Sequence, residues 1–441
     1  MLLIGNGRLI AMDERNTFLE DGCVAIEGRL ISEVGETASL REKYPDADFL
    51  DARGGLIMPG LINAHNHIYS AFARGMSIAG YHPADFLDIL KGMWWNIDEH
   101  LTLEDVTYSA YWTYLDGIKN GVTTVFDHHA SYGAVSGSLF AISEVARELG
   151  LRTCLCYEVS DRAGQEKMKE AVAENEQFIQ YARTTEDQRG MMGLHASFTL
   201  SDASLDYAAA HTPAGAGYHI HVAEGMADQT DCLQKHGKRV VQRLHDFGIL
   251  GPHTVTGHCI HVSPLELELL KATDTMVVHN PESNMGNAVG CPPTMEIMRR
   301  GILTGLGTDG YTNDMYESMK VANILHKHNT MDPNAAWAEV PQMLFQNNAK
   351  ITNRFFDATV GQLSPGAAAD VIVADYIPQT PLNQDNYSSH ILFGMTGRSV
   401  VHTVASGKIL MKERELLCAD EGRIYARCRE LAKRLAERIN S

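Results

Sequence analysis

The sequence predicts an α/β fold: a (β/α)8 barrel of the TIM type, with a small β-sandwich domain built from both chain ends. Three observations predict it. Eight short apolar or β-branched runs alternate with segments of helical periodicity through the middle of the chain, the pattern of parallel βαβ units. Ionisable residues gather at the C-terminal ends of nearly all these runs, where such a barrel places its active site. Short strands broken by Gly and charged turns occupy both ends of the chain.

Residues 1–57 carry LLIGNGRLI, CVAIEGRLISEVG and FLDARGGLIMP, and the region 360–415 carries ADVIVADY and VVHTVASGKILM. Together they predict one small β domain contributed by both termini. Residues 58–359 are assigned to the barrel. Its strand-like runs are 56–67, 123–129, 152–160, 190–197, 217–224, 254–261, 274–281 and 302–310. Between most of them lie helical stretches such as EDVTYSAYWTYLDGIKNG and SGSLFAISEVARELG. The tail, 416–441, contains the amphipathic helix IYARCRELAKRLAERI. A doubly wound sheet is the alternative, but its site draws on the few strands beside one switch point. Here the polar ends span His65 and His67, Asp127 to His129, Glu158, His195, His221 and Glu224, His258, His279 and Asp309.

Composition excludes several functions. The 37 basic and 55 acidic residues leave a net charge of −18, which argues against nucleic acid as a partner. The start, MLLIGNGRLI, lacks the basic region and longer apolar core of a signal peptide, and no run approaches a membrane span. The eight cysteines form no CxxC pair, so neither a disulfide framework nor a cysteine zinc knot is expected. Reduced thiols in a cytoplasm fit best. No GxGxxG follows a strand to open a helix, which disfavours dinucleotide redox chemistry.

The chemistry lies in the strand ends. His65-Asn66-His67 places two imidazoles on one face of a strand, aimed at a common point. HIHVAE supplies His219 and His221 in the same spacing, with Glu224 three residues further on, and GTDG supplies Asp309. Three histidines and one carboxylate suit zinc, and tolerate iron or manganese. His219 shares the face of His221 and is expected as a buried partner behind the ligands.

The motifs PGLINAHNH, HIHVAEG, GHCIH, HNPESN and LGTDG, in this order, resemble those of the amidohydrolase superfamily in its aminohydrolase and chlorohydrolase branch. HNHIYSAFARG, DHHAS, the SNM of HNPESNM and TDGYTNDMYESMK are most similar to the Ssn-type aminohydrolases, associated with purine catabolism. The resemblance implies one divalent ion, Zn2+ ahead of Fe2+ or Mn2+, on His65, His67, His221 and Asp309. It implies Glu224 as proton shuttle, His258 as the residue orienting water, Asp309 as a further catalytic group, and His195 as a substrate contact. Binuclear relatives carry a bridging lysine after the fourth strand. LHASFT has none, which favours a single ion. HASFT in place of the family's HAPYT is expected to loosen the loop after His195.

Substrate contacts are also expected from His129, Asn284 and Trp94. His128 competes with His129 for the pocket, and HNPESN has turn chemistry that gives Asn284 and His279 a structural alternative. Trp94 and Trp95 either stack on a flat ring or pack in a helix. His261 is expected to pack. Glu224 has a rival role as a helix-start carboxylate, and His258 as a space-filling residue. The function implied is hydrolysis of a C–N bond in a purine-like nitrogen heterocycle, with a small-molecule heterocycle as the partner. The alternatives are removal of another leaving group from a triazine-like ring, or a non-catalytic metal-binding scaffold. Barrel enzymes of this kind often dimerise, so a homodimer is expected by analogy.

Overall fold

Aliphatic and β-branched residues at the start of the chain favour a strand with a buried side. In the computed structural model, which describes residues 1–441, this strand is Leu2–Ile10. It pairs antiparallel with Phe18–Glu27 and, beyond that contact, parallel with Leu56–Pro59. Phe18–Glu27 turns back into Leu30–Glu36 through Gly28, whose φ of +61° suits a two-residue hairpin loop. The other end of the chain completes the sheet. Val371–Ala374 pairs antiparallel with Leu56–Pro59, and Val400–Ala405, Lys408–Lys412 and Glu415–Leu416 follow outward. Asp48–Asp51 is added beside Leu2–Ile10.

The sequence predicts a sandwich here; Leu30 bridges Ala368 antiparallel, bringing distant strands back together, while hydrogen bonding runs through one continuous nine-stranded sheet. The reason is Leu56–Pro59, which lies between the N-terminal and C-terminal strands and bonds to both. An apolar cluster including Ile4, Val24, Ile57, Val371 and Val404 is buried with it.

The run 56–67 thus divides into two strands, Leu56–Pro59 in the terminal sheet and Leu61–Asn66 in the central one. The division falls at Gly60, where a Cβ would stand 2.3 Å from Thr123 Oγ1. A larger residue would push the neighbouring strand away.

All central strands run parallel. Leu61–Asn66, Val122–His129, Arg152–Tyr157 and Gln188–Gly190 form a four-stranded sheet in that order. Met192–Ala196, Tyr218–Val222, Val255–His258, Met276–His279 and Thr304–Leu306 form a five-stranded one. Met191 alone separates Gln188–Gly190 from Met192–Ala196, so the chain itself links the two sheets. At their opposite edges the Thr308 and Asp309 amides both donate to the His65 carbonyl at 3.0 Å, and Asn66 bridges Asp309 in parallel. Apart from Gln188–Gly190, these strands are buried along their whole length, as expected when helices cover a parallel sheet.

Reciprocal capping boxes start two of the covering helices, Thr102 with Asp105 at Leu103–Lys119 and Ser263 with Glu266 at Pro264–Ala272. The last helix, Glu421–Ile439, buries Cys428, Leu431 and Leu435, and Cys428 Sγ reaches the Tyr108 carbonyl. No helix is long and apolar enough to cross a membrane.

Candidate metal centre

His65 and His67 leave the first central strand on one side, with ring centroids 4.9 Å apart. His221 comes from the Tyr218–Val222 strand, and Asp309 follows the Thr304–Leu306 strand. The His67 Nδ1–H donates to the His128 carbonyl at 2.6 Å, and the His221 Nδ1–H to the His195 carbonyl at 3.0 Å. A carbonyl only accepts, so both rings are fixed with the proton on Nδ1. Burial holds both imidazoles below their ordinary pKa, and so neutral. Their Nε2 lone pairs therefore face each other at 3.2 Å with no proton between them.

Two further acceptors join them. Asp309 Oδ1 lies 3.5 Å from His67 Nε2, and Oδ2 lies 3.6 Å from His65 Nε2. Burial would raise the Asp309 pKa, but the His67, His258 and His65 imidazoles hold it well below the usual carboxylate range. His65 Nε2 is buried without a hydrogen-bond partner, while its Nδ1 meets His219 Nε2 at 2.8 Å. Converging acceptors without donors are unfavourable in a protein interior unless a cation neutralises them. Four ligands at tetrahedral zinc distances would be separated by about 3.4 Å. The 3.2, 3.5 and 3.6 Å separations agree with that spacing. The residues present fit a divalent ion.

Glu224 and His258 stand beside this cluster. His258 Nδ1 lies 2.7 Å from Asn284 Oδ1, and its Nε2 lies 3.2 Å from Asp309 and 3.6 Å from Glu224. Burial works against a charge on His258, but Glu224 and Asp309 raise its pKa to about 9. Burial, reinforced by Asp309, raises Glu224 to about 7, while His258 and an Nδ2–H of Asn287 at 3.2 Å pull the other way. Backbone conformation serves the same cluster. Ala223, His258 and Asp309 have φ of 47°, 68° and 58°, a region non-glycine residues rarely occupy and one associated with functional sites.

The cavity in front is walled by Tyr69, Leu90, Trp94, Trp95, Glu158 and His195. Trp94 ends a five-residue π turn, Leu90–Trp94, and meets Tyr69 edge to face. His195 lines the cavity with its Nδ1 2.8 Å from Thr199 Oγ1. The loop after it is not loosened. Arg243 donates to the Ser197 and Leu200 carbonyls, and Asp228 accepts from the Phe198 amide.

His129 and Asn284, expected at the substrate, do not line this cavity. His129 is buried against Ser131, with Nε2 2.9 Å from its hydroxyl, and Asn284 is spent on His258. His128 is buried too, its Nε2 donating to the Leu194 carbonyl at 3.0 Å, and His279 lies 3.4 Å from the Asn284 amide nitrogen. His261 donates to the Val289 carbonyl at 2.9 Å, in keeping with packing.

Sequence reasoning assigned no role to Asn287 or to Tyr69. Glu158 stood among the polar strand ends without one. Its position near the C-terminal end of the third run was the available signal. Burial pushes its carboxyl up to about 8, against the Arg162 guanidinium.

The model of the amidohydrolase family matches residues 56–410. The chain belongs to the amidohydrolase family. Residues 22–47 also match an imidazolonepropionase-like composite domain of bacteria. A 5'-deoxyadenosine deaminase of Methanosarcina barkeri is 31% identical, over 100% of this chain and 99% of its own. Among solved structures, a zinc-bound adenosine deaminase from Xanthomonas campestris superposes with a TM-score of 0.86 at 22% identity, covering 98% of each chain. Atrazine chlorohydrolase from Arthrobacter aurescens, complexed with zinc, gives a TM-score of 0.82 at 21% identity, over 98% of this chain and 100% of its own. As an amidohydrolase, the protein has its histidine-rich, metal-capable cluster at the C-terminal ends of the parallel strands.

Proposed function

We propose that this amidohydrolase is a deaminase. It replaces an amino group on a purine-like heterocycle with oxygen, using one divalent ion, Zn2+ ahead of Fe2+ or Mn2+. The single observation that carries the metal is the pair of facing Nε2 lone pairs on His67 and His221, 3.2 Å apart beside the Asp309 carboxylate. His65 completes the set. The alternating strands, the chain link at Met191 and the Asn66–Asp309 bridge support reading the two parallel sheets as one closed (β/α)8 barrel. We assign that barrel to residues 58–359, the small β domain to 1–57 with 360–415, and the closing helix to 416–441.

An ion held there supplies the Lewis acidity that makes water nucleophilic at neutral pH. The remaining work belongs to side chains. Glu224, balanced near neutrality, gives a proton to a ring nitrogen as water adds, then takes up the proton that the added hydroxyl loses and passes it to the departing amine. His258, between Asn284 and Asp309, is held in place to orient the attacking water, and Asp309 accepts its proton. Trp94, Trp95 and Tyr69 present aromatic surface to a flat ring, and His195 contacts it beside the metal ligands. Deaminase activity among relatives such as the Methanosarcina barkeri protein supports ammonia as the leaving group.

Metal analysis combined with an ammonia-release screen over aminopurines, pterins and pyrimidines tests the reading. The expected result is a stoichiometric transition metal and chelator-sensitive ammonia release from a purine. Halide release from a chlorotriazine without ammonia release would favour the other leaving-group chemistry. Activity that survives complete metal removal would overturn the reading.

A further inference from the structure

Glu158 follows the third central strand, is 3% exposed, and lines the cavity. Its carboxyl accepts no hydrogen bond from the protein. The titratable groups around it stand back: His128 Nδ1 at 3.7 Å, Arg162 at 3.8 Å and His195 Nε2 at 4.0 Å. Arg162 is the natural partner, yet each of its terminal nitrogens gives an N–H to Asp98 and it makes no hydrogen bond to Glu158. Its guanidinium also lies over the Tyr132 ring at 4.1 Å from the centroid. Asp98 therefore holds the only nearby fixed cation back from hydrogen-bonding distance and leaves the Glu158 carboxyl for whatever enters the cavity. Burying a carboxyl without a partner is unfavourable, and an incoming N–H or O–H removes that penalty. In either protonation state the carboxyl keeps an accepting oxygen.

We infer that Glu158 is a specificity-determining residue that accepts a hydrogen bond from a donor group on the bound heterocycle, away from the carbon under attack. The inference rests on the deaminase reading and names what that site selects. The two carboxyls have separate surroundings: Glu224 faces His258 and Asn287, whereas Glu158 faces His195 and His128. A ligand that offers a donor on the Glu158 side is held. One that offers no donor there leaves the accepting oxygen of Glu158 unpaired. The donor is either an amino group on the base or a hydroxyl on an attached sugar.

Two matched pairs separate these sources. 2,6-Diaminopurine differs from adenine by one exocyclic amino group, and adenosine differs from 2',3'-dideoxyadenosine by the 2'- and 3'-hydroxyls. Metal-loaded wild type, Glu158→Gln and Glu158→Ala are compared by kcat/KM for ammonia release and by Kd from tryptophan fluorescence. Circular dichroism checks the fold. The wild type is expected to prefer the donor-bearing member of one pair by about 10- to 100-fold. Glu158→Ala removes that preference. Glu158→Gln keeps part of it, because its amide oxygen still accepts, and it carries the test if Glu158→Ala does not fold. Retention of the full preference in both variants, or its absence from both pairs in the wild type, overturns the inference. If the wild type binds these purines but releases no ammonia, the deaminase reading fails, while the Kd ratios still decide the role of Glu158.

Discussion

Where the terminal sheet meets the central strands, Arg152 pairs with Asp370, and both are buried. The other Asp370 oxygen accepts the Ser406 amide at 2.8 Å, and Arg152 also reaches Thr124 Oγ1. Apart from Arg152 Nε, the polar groups of this junction are satisfied. The metal centre is built on equally buried strands but treats its polar groups in the opposite way. His65 Nε2, His128 Nδ1 and His258 Nε2 have no partner, and His67 and His221 direct lone pairs at each other. A satisfied buried pair holds the structure together. Unsatisfied groups gathered at strand ends are tolerated for what they bind, and the rest of the fold must stabilise them.

If this contrast is right, a substitution at the strand ends strikes activity and spares stability, and one at the junction does the reverse. Glu224→Gln has the largest expected effect. It removes the group that carries the proton while keeping its shape, so kcat should fall by about 10²–10⁴-fold. Metal content and thermal midpoint should stay at wild-type values. Unchanged turnover of the true substrate would leave the cluster as a non-catalytic scaffold. Asp370→Ala comes next. Losing its buried partner leaves Arg152 with Asp187 alone, at 3.6 Å, and costs up to about 3–5 kcal/mol, read as an earlier denaturant midpoint, with the metal-loaded enzyme that remains folded keeping its kcat. A matching loss of kcat in the folded fraction would show that the two regions are not separable.

The cavity also gives the contrast a pH signature in the metal-free protein. Glu158 has a folded pKa of about 8, raised by burial from an ordinary 4.5. Between these values the folded state binds the extra proton, so the contribution of Glu158 to stability is full below about pH 4.5 and is lost as pH rises to about 8. Glu158→Gln does not titrate. The fall in thermal midpoint from pH 5.5 to 8 should therefore be shallower in the variant by a few degrees, on the order of a few kcal/mol. Identical slopes would mean that Glu158 is already charged across this range.

The two regions also differ in how far the sequence reveals them. That His65, His67, His221 and Asp309 meet was legible, because HxH spacing fixes a shared face and parallel alternation brings strand ends together. Trp94 at the cavity was one of the two readings that its place after the first strand left open. His129 and His128 were expected to supply one pocket residue between them, and alternation along the strand gives no sign that both are instead spent inside, on Ser131 and the Leu194 carbonyl. Asn284 lies in a motif that reads as a turn, and its bond to His258 joins positions 26 residues apart. The isolation of Glu158 depends on Asp98 claiming Arg162 across 64 residues, a contact with no local pattern. The terminal sheet was blurred for another reason. Leu56–Pro59 and Leu61–Asn66 form one apolar run, and only the close approach of Thr123 to Gly60 explains the division.

The smallest effect probes a single hydrogen bond at the edge of the metal centre. Asn287 donates to Glu224 Oε1 at 3.2 Å and favours the charged carboxylate. Asn287→Ala removes that donor, so the Glu224 pKa, already raised by burial to about 7, should rise further. One hydrogen bond to a charged group is worth about 1.5–3 kcal/mol at most, and Asn287 is shared with Ser283 Oγ at 3.1 Å, so the shift should be below about one pH unit. The protonated acid is the form that donates, so the limb of the kcat/KM profile that falls with increasing pH should move to higher pH. A limb that stays in place, or moves to lower pH, would assign it to a group other than Glu224. Since Asn287 follows the HNPESN segment and touches neither His65 nor His67, metal content should not change, and a loss of metal would show that this edge supports the ligands as well as the acid.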